Sequence, residues 1–226
     1  MFALKLICGV AFQLGLFGLL LFLPAQTLAW PRAWVLLGGM AAGTAAAMFC
    51  LRDRPDLVNE RLKGSIQKGQ PLADKIVTNL LLAMLCGVIA FIPLDVFHFH
   101  LLGGPGVLVS VLGLGLIVAG FWIAVLAMRE NAFAVGVVKY QQERHHQVID
   151  RGVYAKVRHP MYAGGILFIV GVCLWLGSYA AAVLALAPIG TLVLRMLIEE
   201  HFLRHQLDGY KAYSERTRYR LIPFLW

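Results

Sequence analysis

The chain is written in long apolar blocks separated by polar stretches, with no two-residue alternation of the kind that marks half-buried strands. Six blocks stand out: about Leu4 to Leu23, Ala33 to Leu51, Ile76 to Val96, Val107 to Met128, Met161 to Leu176 and Ala180 to Ile198. Each approaches the roughly 20 residues a helix needs to cross ~30 Å of hydrocarbon, the fifth being the shortest. The pattern predicts an all-α, polytopic membrane protein of about six transmembrane helices. Its last two helices form a C-terminal hairpin around the tight turn LGSYA. The first block has the basic flank of a signal peptide in Lys5, but LPAQTLAWPRAW leads straight into another apolar run, so it reads as a span.

Composition agrees. Of 226 residues, 60% are hydrophobic and 14% charged, and the mean hydropathy is +0.75. A soluble domain carries about 25% charge. The placement of the cations sets an orientation. Six Lys and Arg lie in Arg52 to Lys75, six in Arg129 to Arg158 and six from Arg195 to Arg220, leaving only Lys5 and Arg32. Eighteen of the twenty thus fall on one side of a six-span topology. The positive-inside rule makes that side cytoplasmic, with both termini inside, as in a bacterial inner (cytoplasmic) membrane protein. The net charge of +8 is accounted for by topology and anionic headgroups, and no nucleic-acid partner is expected.

The four cysteines (Cys8, Cys50, Cys86, Cys173) sit in or at the edges of spans without a C-x-x-C pair, and read as small packing residues. His98 and His100 in the turn FHFHLLGGPG lack the converging ligands a metal needs, so no metal is expected. No repeat or low-complexity linker divides the chain. Chemistry divides it instead: residues 1–128 form a four-helix transmembrane region, and 129–226 hold nearly all the polar side chains near a span. Gly39 and Gly43, at GxxxG spacing, are expected helix-packing contacts. The connection from Arg52 to Lys75 is expected to hold a short amphipathic helix, about Asp56 to Leu62, started by Pro55 and stopped by Gly64. It either covers a site or is a solvated loop.

The C-terminal region carries the candidate chemistry. The polar segment RENAFAVGVVKYQQERHHQVIDRGVYAKVRHPMYAGG runs into the fifth block, and the last block ends in RMLIEE. Arg195 and Glu199 are four apart and share a helix face. Ionisable groups at the edge of a span are costly, so they are candidates for function. Taken singly, each has an ordinary explanation. Arg158 can be a snorkelling topology charge, Pro160 a helix start, and Glu199 and Glu200 partners of Arg195.

Taken together, RGVYAKVRHPMYAG, the tight hairpin, RMLIEE, YKAY and RLIPF resemble the isoprenylcysteine carboxyl methyltransferase family in order and spacing. HPMYAG is also similar to the phospholipid N-methyltransferases. The resemblance covers about Arg129 to Trp226. It implies an integral membrane enzyme using S-adenosylmethionine, with no Rossmann sheet, and no G-x-G-x-x-G after a predicted strand is present. By this resemblance the cofactor contacts are Gln141 (or Lys139 in its place), His146, Gln147, Val148, Ile149 and Tyr154. They continue through His159, Pro160, Met161 and Tyr162 to Glu199 and Glu200. Arg195 falls on the acceptor side, and Arg158 either assists it or shapes the turn.

The residue types fit that chemistry. A carboxylate pairs with the cofactor's ammonium, tyrosines offer apolar faces with polar tips, and a helix start at Pro160 offers backbone N–H groups to anions. The implied acceptor is lipophilic and enters from the bilayer, most simply an isoprenylcysteine-like carboxylate. Phospholipid or small-thiol methylation are alternatives. So is an NADPH-dependent membrane reductase of the sterol-reductase type, whose C-terminal helical layout is similar.

Overall fold

The computed structural model describes residues 2–226, with side chains from Leu6 onward, and the described residues contain helices and turns but no strand. The helices are α1 (Phe2–Ala25), α2 (Pro31–Cys50), α3 (Pro55–Arg61), α4 (Leu72–Leu94) and α5 (Val107–Glu130). They continue as α6 (Pro160–Leu176), α7 (Tyr179–Leu184), α8 (Leu186–Gln206) and α9 (Tyr210–Arg216). Five stretches are long and apolar enough to cross a membrane, namely α1, α2, α4 with its following turn, α5, and α7 and α8 taken together. With α6, which has 17 residues, the chain makes six passes between a basic end and a far end. The outer face is apolar: Phe12, Leu19 and Leu23 on α1 and Leu108 and Leu112 on α5 project outward. Such exposure is unfavourable in water and natural against lipid tails.

The last pass is not one helix. Pro188 has no N–H to give to the carbonyl one turn back, and the helix breaks at Ala185 between α7 and α8. The turn before it is as tight as expected. Gly177 takes φ 104°, which a side chain would disfavour, and the Ser178 hydroxyl accepts the Ala181 N–H at 2.9 Å to cap α7.

Close helix packing lies elsewhere than expected. A side chain at Gly39 would meet nothing, and one at Gly43 would touch only the Phe121 ring. The tight seam is between α5 and α6, whose backbones touch at two glycine pairs. A Cβ on Gly120 would come within 2.4 Å of the Gly164 carbonyl, and one on Gly171 within 2.6 Å of the Gly113 carbonyl. The pairs are seven residues apart on each helix, so two turns repeat the same close approach.

At the far end an apolar cluster of Leu21, Trp30, Leu36, Ile92, Val172 and Leu176 joins α1, α2, α4 and α6. Asp95 closes this end. It is buried, and it accepts the Ser178 hydroxyl at 2.6 Å and the Leu101 N–H at 2.9 Å. His98 sits 3.0 Å from the Pro24 carbonyl.

At the basic end the connection after α2 forms helix α3 as expected and packs onto the polar segment. Arg61 donates to the Ala134 carbonyl at 2.6 Å. Lys139 bridges Glu60 at 2.7 Å and Gln67 at 3.0 Å. Burial alone would raise the Glu60 carboxyl, but the hydrogen bonds and charges of Lys139 and Lys63 outweigh it and hold the group below its usual range. The connection is therefore a packed cover over residues 131–141 rather than a free loop.

Candidate active site

The site is assembled where α6 begins. Pro160 occupies the first position of α6, a place where its missing N–H is no loss. The two residues before it are held in register by the C-terminal segment: Arg158 N–H donates to the Tyr219 carbonyl and His159 N–H to the Arg220 carbonyl, each at 2.9 Å. The first turn offers fewer free donors than its sequence implies, because Tyr162 and Ala163 N–H both donate to the His159 carbonyl at 3.1 Å.

The polar segment from Asn131 to His159 holds only single 3₁₀ turns, at Gln142–Arg144 and Gly152–Ala155. It folds over the start of α6 and the end of α8 to enclose one cavity. Its wall includes Gln141, Lys139, His146, Gln147, Val148, Ile149 and Tyr154 from this segment. His159, Pro160, Met161 and Tyr162 come from the start of α6, and Arg195 and Glu199 from α8. Arg158 also touches the wall.

Adjacent acids on α8 have separate surroundings. Glu199 faces the cavity and, among the described residues, takes one hydrogen bond, from the Tyr162 hydroxyl at 2.5 Å. Glu200 is not part of the wall. It is 4% exposed, with Arg158 Nε at 2.7 Å and His159 Nε2 at 3.0 Å on one oxygen and Arg220 Nε at 3.1 Å on the other. The expectation of Glu200 as a cofactor contact meets a carboxylate already filled by three partners behind the wall.

Arg158 is likewise committed. Besides Glu200, its Nη1 donates to the carbonyls of Ser214, Thr217 and Arg218 at 2.9–3.1 Å. This guanidinium fastens the end of α9 to the RHP turn. Of the two roles open to it from sequence, shaping the turn matches the geometry.

Arg195 is arranged differently, and does not pair with Glu199. Its Nε donates to Asp74 Oδ1 at 3.0 Å and Thr78 Oγ1 at 2.9 Å, Nη1 to the Tyr162 hydroxyl at 3.0 Å, and Nη2 to the Gly136 carbonyl at 2.9 Å. A guanidinium has about five N–H donors. One hydrogen on each of Nη1 and Nη2 is thus left over, and Arg195 is part of the cavity wall. The Tyr162 hydroxyl links Arg195 to Glu199 in one hydrogen-bonded chain.

A family model described as phospholipid methyltransferase matches residues 108–208. Protein-S-isoprenylcysteine O-methyltransferase B of Arabidopsis thaliana is 30% identical over 144 residues, covering 60% of this chain and 70% of that protein. The chain belongs to the isoprenylcysteine carboxyl methyltransferase family. It is an integral membrane methyltransferase, and the reductase alternative falls away. A phosphatidylethanolamine N-methyltransferase of Scheffersomyces stipitis is 35% identical over 79 residues, 34% of this chain but 9% of that protein, a local likeness.

Several wall residues of this methyltransferase are not among those picked from sequence. Asn131 and Phe133 come from the start of the polar segment, and Tyr210 and Tyr213 from α9. The Y-x-x-Y spacing of the last two was visible, and it places both on one helix face. Burial pushes the Tyr154, Tyr210 and Tyr213 phenols far above their ordinary value, so all three stay neutral. Tyr213 donates its hydroxyl to the Tyr154 carbonyl at 2.8 Å.

His146 is packed between rings, 4.6 Å from Phe133 and 5.9 Å from Tyr140. Burial, and then the Arg144 charge, push its imidazole down to about 4. It is therefore neutral near pH 7. Its buried Nδ1 has no hydrogen-bond partner among the described residues.

Proposed function

We propose that this methyltransferase uses S-adenosylmethionine, taken from the cytoplasm, to methylate the carboxylate of an isoprenylcysteine-like acceptor arriving from the bilayer. The observation that carries the reading is the opposed pair of charges on one cavity wall: Glu199 with acceptor capacity unused, and Arg195 with two N–H groups unused.

The residues present suit the cofactor. The Glu199 carboxylate matches an ammonium or sulfonium, and the unpartnered His146 Nδ1 matches a polar edge. Val148, Ile149, Tyr154 and Tyr210 give apolar surface for a flat base. Gln141 is less available than expected, because its amide donates to the Phe133 carbonyl at 2.8 Å and accepts from Arg144 at 2.5 Å. When bound, S-adenosylmethionine supplies a methyl group already activated on a sulfonium, so an anionic acceptor needs no strong base. What the chain contributes is alignment of donor and acceptor to about 3–3.5 Å and exclusion of water.

The acceptor's chemistry is argued from charge. An amine acceptor would have to be held beside Arg195 and lose a proton. Yet Asp74 with four donors and Glu200 with three both lie off the cavity wall, and this reading gives Glu199 to the cofactor's ammonium. A carboxylate meets the open end of the Arg195 fork directly, in bidentate fashion. The likeness to an enzyme named for isoprenylcysteine O-methylation supports the same choice.

The test is methyl transfer by purified protein in lipid nanodiscs, from labelled S-adenosylmethionine to either N-acetyl-S-farnesyl-cysteine or phosphatidylethanolamine. The expected product is a methyl ester, whose label is released as volatile methanol by alkali. Alkali-stable label on the amine lipid, with none on the farnesyl probe, overturns the carboxylate reading.

A further inference from the structure

Asp74, at the start of α4, is fully buried at 0% exposure. An acidic residue in a first helical turn is often explained by the helix dipole, worth roughly 0.3–1 kcal/mol. That contribution is too small to account for taking a carboxylate wholly out of water, which costs several kcal/mol unless partners replace the water. Here four donors do so. Oδ2 accepts Gln70 Nε2 at 2.6 Å and the Val138 N–H at 2.9 Å, and Oδ1 accepts Thr78 Oγ1 at 3.2 Å and Arg195 Nε at 3.0 Å. These come from the connection before α4, α4 itself, the polar segment and α8. Asp74 does not form part of the cavity wall.

The place of the grip on Arg195 is informative. Asp74 and Thr78 hold the guanidinium from its side, at Nε, so its terminal nitrogens are left to Tyr162 and Gly136, and Arg195 lines the cavity. A carboxylate placed across Nη1 and Nη2 would instead have occupied the end of the fork that an acceptor needs. We propose that Asp74 is a positioning residue for methyl transfer: from the N-terminal region, it fixes Arg195 so that the outer edge of its guanidinium is presented to the acceptor. This rests on the acceptor role proposed for Arg195.

The test uses the full-length protein in nanodiscs, with N-acetyl-S-farnesyl-cysteine as acceptor probe and S-adenosylhomocysteine as cofactor probe. Asp74→Asn keeps the shape but removes the charge and sets an NH₂ against donors. Its kcat/KM for the acceptor should fall by about tenfold or more, the scale of a small misalignment. Its affinity for S-adenosylhomocysteine should stay within about twofold, the tolerance for independent sites. In an Arg195→Lys background the same change should add little further loss. Multiplicative losses in the double variant, or equal losses of cofactor affinity and acceptor kinetics, would overturn the proposal.

If Asp74→Asn fails to fold, Thr78→Val decides. It deletes the hydroxyl between Asp74 and Arg195 and should lower acceptor kcat/KM with cofactor affinity kept, whereas unchanged kinetics count against the grip. A readout free of turnover separates this proposal from the acceptor reading. Phenylglyoxal labelling of Arg195, quantified by peptide mass spectrometry, should rise severalfold in Asp74→Asn (or Thr78→Val) while Arg158 stays protected. Released Arg195 with no methylation of the farnesyl probe by wild-type protein would count against the acceptor reading alone. Unchanged labelling, with wild-type methylation intact, would sink the role of Asp74 alone.

Discussion

Glu199 and Glu200 are neighbours on α8, and a helix turns successive side chains about 100° apart. That rotation gives the first to the cavity and the second to Arg158, His159 and Arg220. Their isosteric amides should therefore fail differently. Glu199→Gln should leave thermal stability near wild type and weaken S-adenosylhomocysteine binding by about 1.5–3 kcal/mol, the range for a hydrogen bond to a charged group. Glu200→Gln leaves two guanidinium groups without their shared counter-ion, and removing one side of a buried pair costs about 3–5 kcal/mol. A large fall in Tm for Glu200→Gln, with no matching fall for Glu199→Gln, is the outcome expected from calorimetry in detergent.

His146 adds a pH dependence. Its folded pKa of about 4 lies below the ordinary 6.5, so the unfolded chain binds the extra proton first. Its contribution is present above pH 6.5 and is lost as pH falls towards 4. Thermal unfolding followed across that window should flatten in His146→Gln relative to wild type.

Helices explain why some features were readable and others not. The apolar blocks gave the long helices to within a few residues at every end but one, because a span must satisfy its own backbone in lipid and its length follows. The exception is α8, which runs on past Ile198 to Gln206, where polar residues continue the helix beyond the apolar block. Contacts between helices were not readable in the same way. Gly39–Gly43 has the familiar spacing yet packs weakly, while Gly113, Gly120, Gly164 and Gly171 carry the seam. Four-residue spacing states that two glycines share a face, not that another helix lies against it. The break at Ala185 was likewise signalled by Pro188 but hidden in an unbroken apolar run. Substitution separates the two glycine sets. Gly164→Val places a branched side chain against the Gly120 carbonyl, where even a Cβ would lie 2.5 Å away, so α5 and α6 must part. Overpacking of this kind costs about 1–3 kcal/mol or more. Gly39→Ala meets nothing within 4 Å and should leave heat-resistance in detergent unchanged, as measured by the monodisperse fraction after a heat step.

At the scale of the whole molecule, the far end is a packed apolar core and the basic end a polar site, and the two halves of the chain meet in both. Most of the cavity wall was legible because its residues cluster between Gln141 and Glu199 in one recurring order. Asp74 was not, since in sequence it is one charge among many in a loop rich in Arg and Lys. The signal available was Asp74 and Thr78, two polar residues four apart at the start of a helix entering lipid, with Gln70 four residues ahead in the connection before it. The same loop bears on orientation. Anionic headgroups and the insertion machinery both favour cations on the cytoplasmic side, and the three basic segments lie at one end of the bundle, together with the cavity. The cofactor proposed above, water-soluble and made in the cytoplasm, reaches the cavity only if that end faces inward. In a variant lacking Cys8, Cys50, Cys86 and Cys173, new cysteines at exposed Lys68 and His100 would sit at opposite ends. In intact cells producing this variant, a membrane-impermeant maleimide should label His100→Cys at once and Lys68→Cys only after permeabilisation. Immediate labelling of Lys68→Cys would place the cavity outside, where neither the cofactor supply nor the distribution of eighteen cations has an explanation.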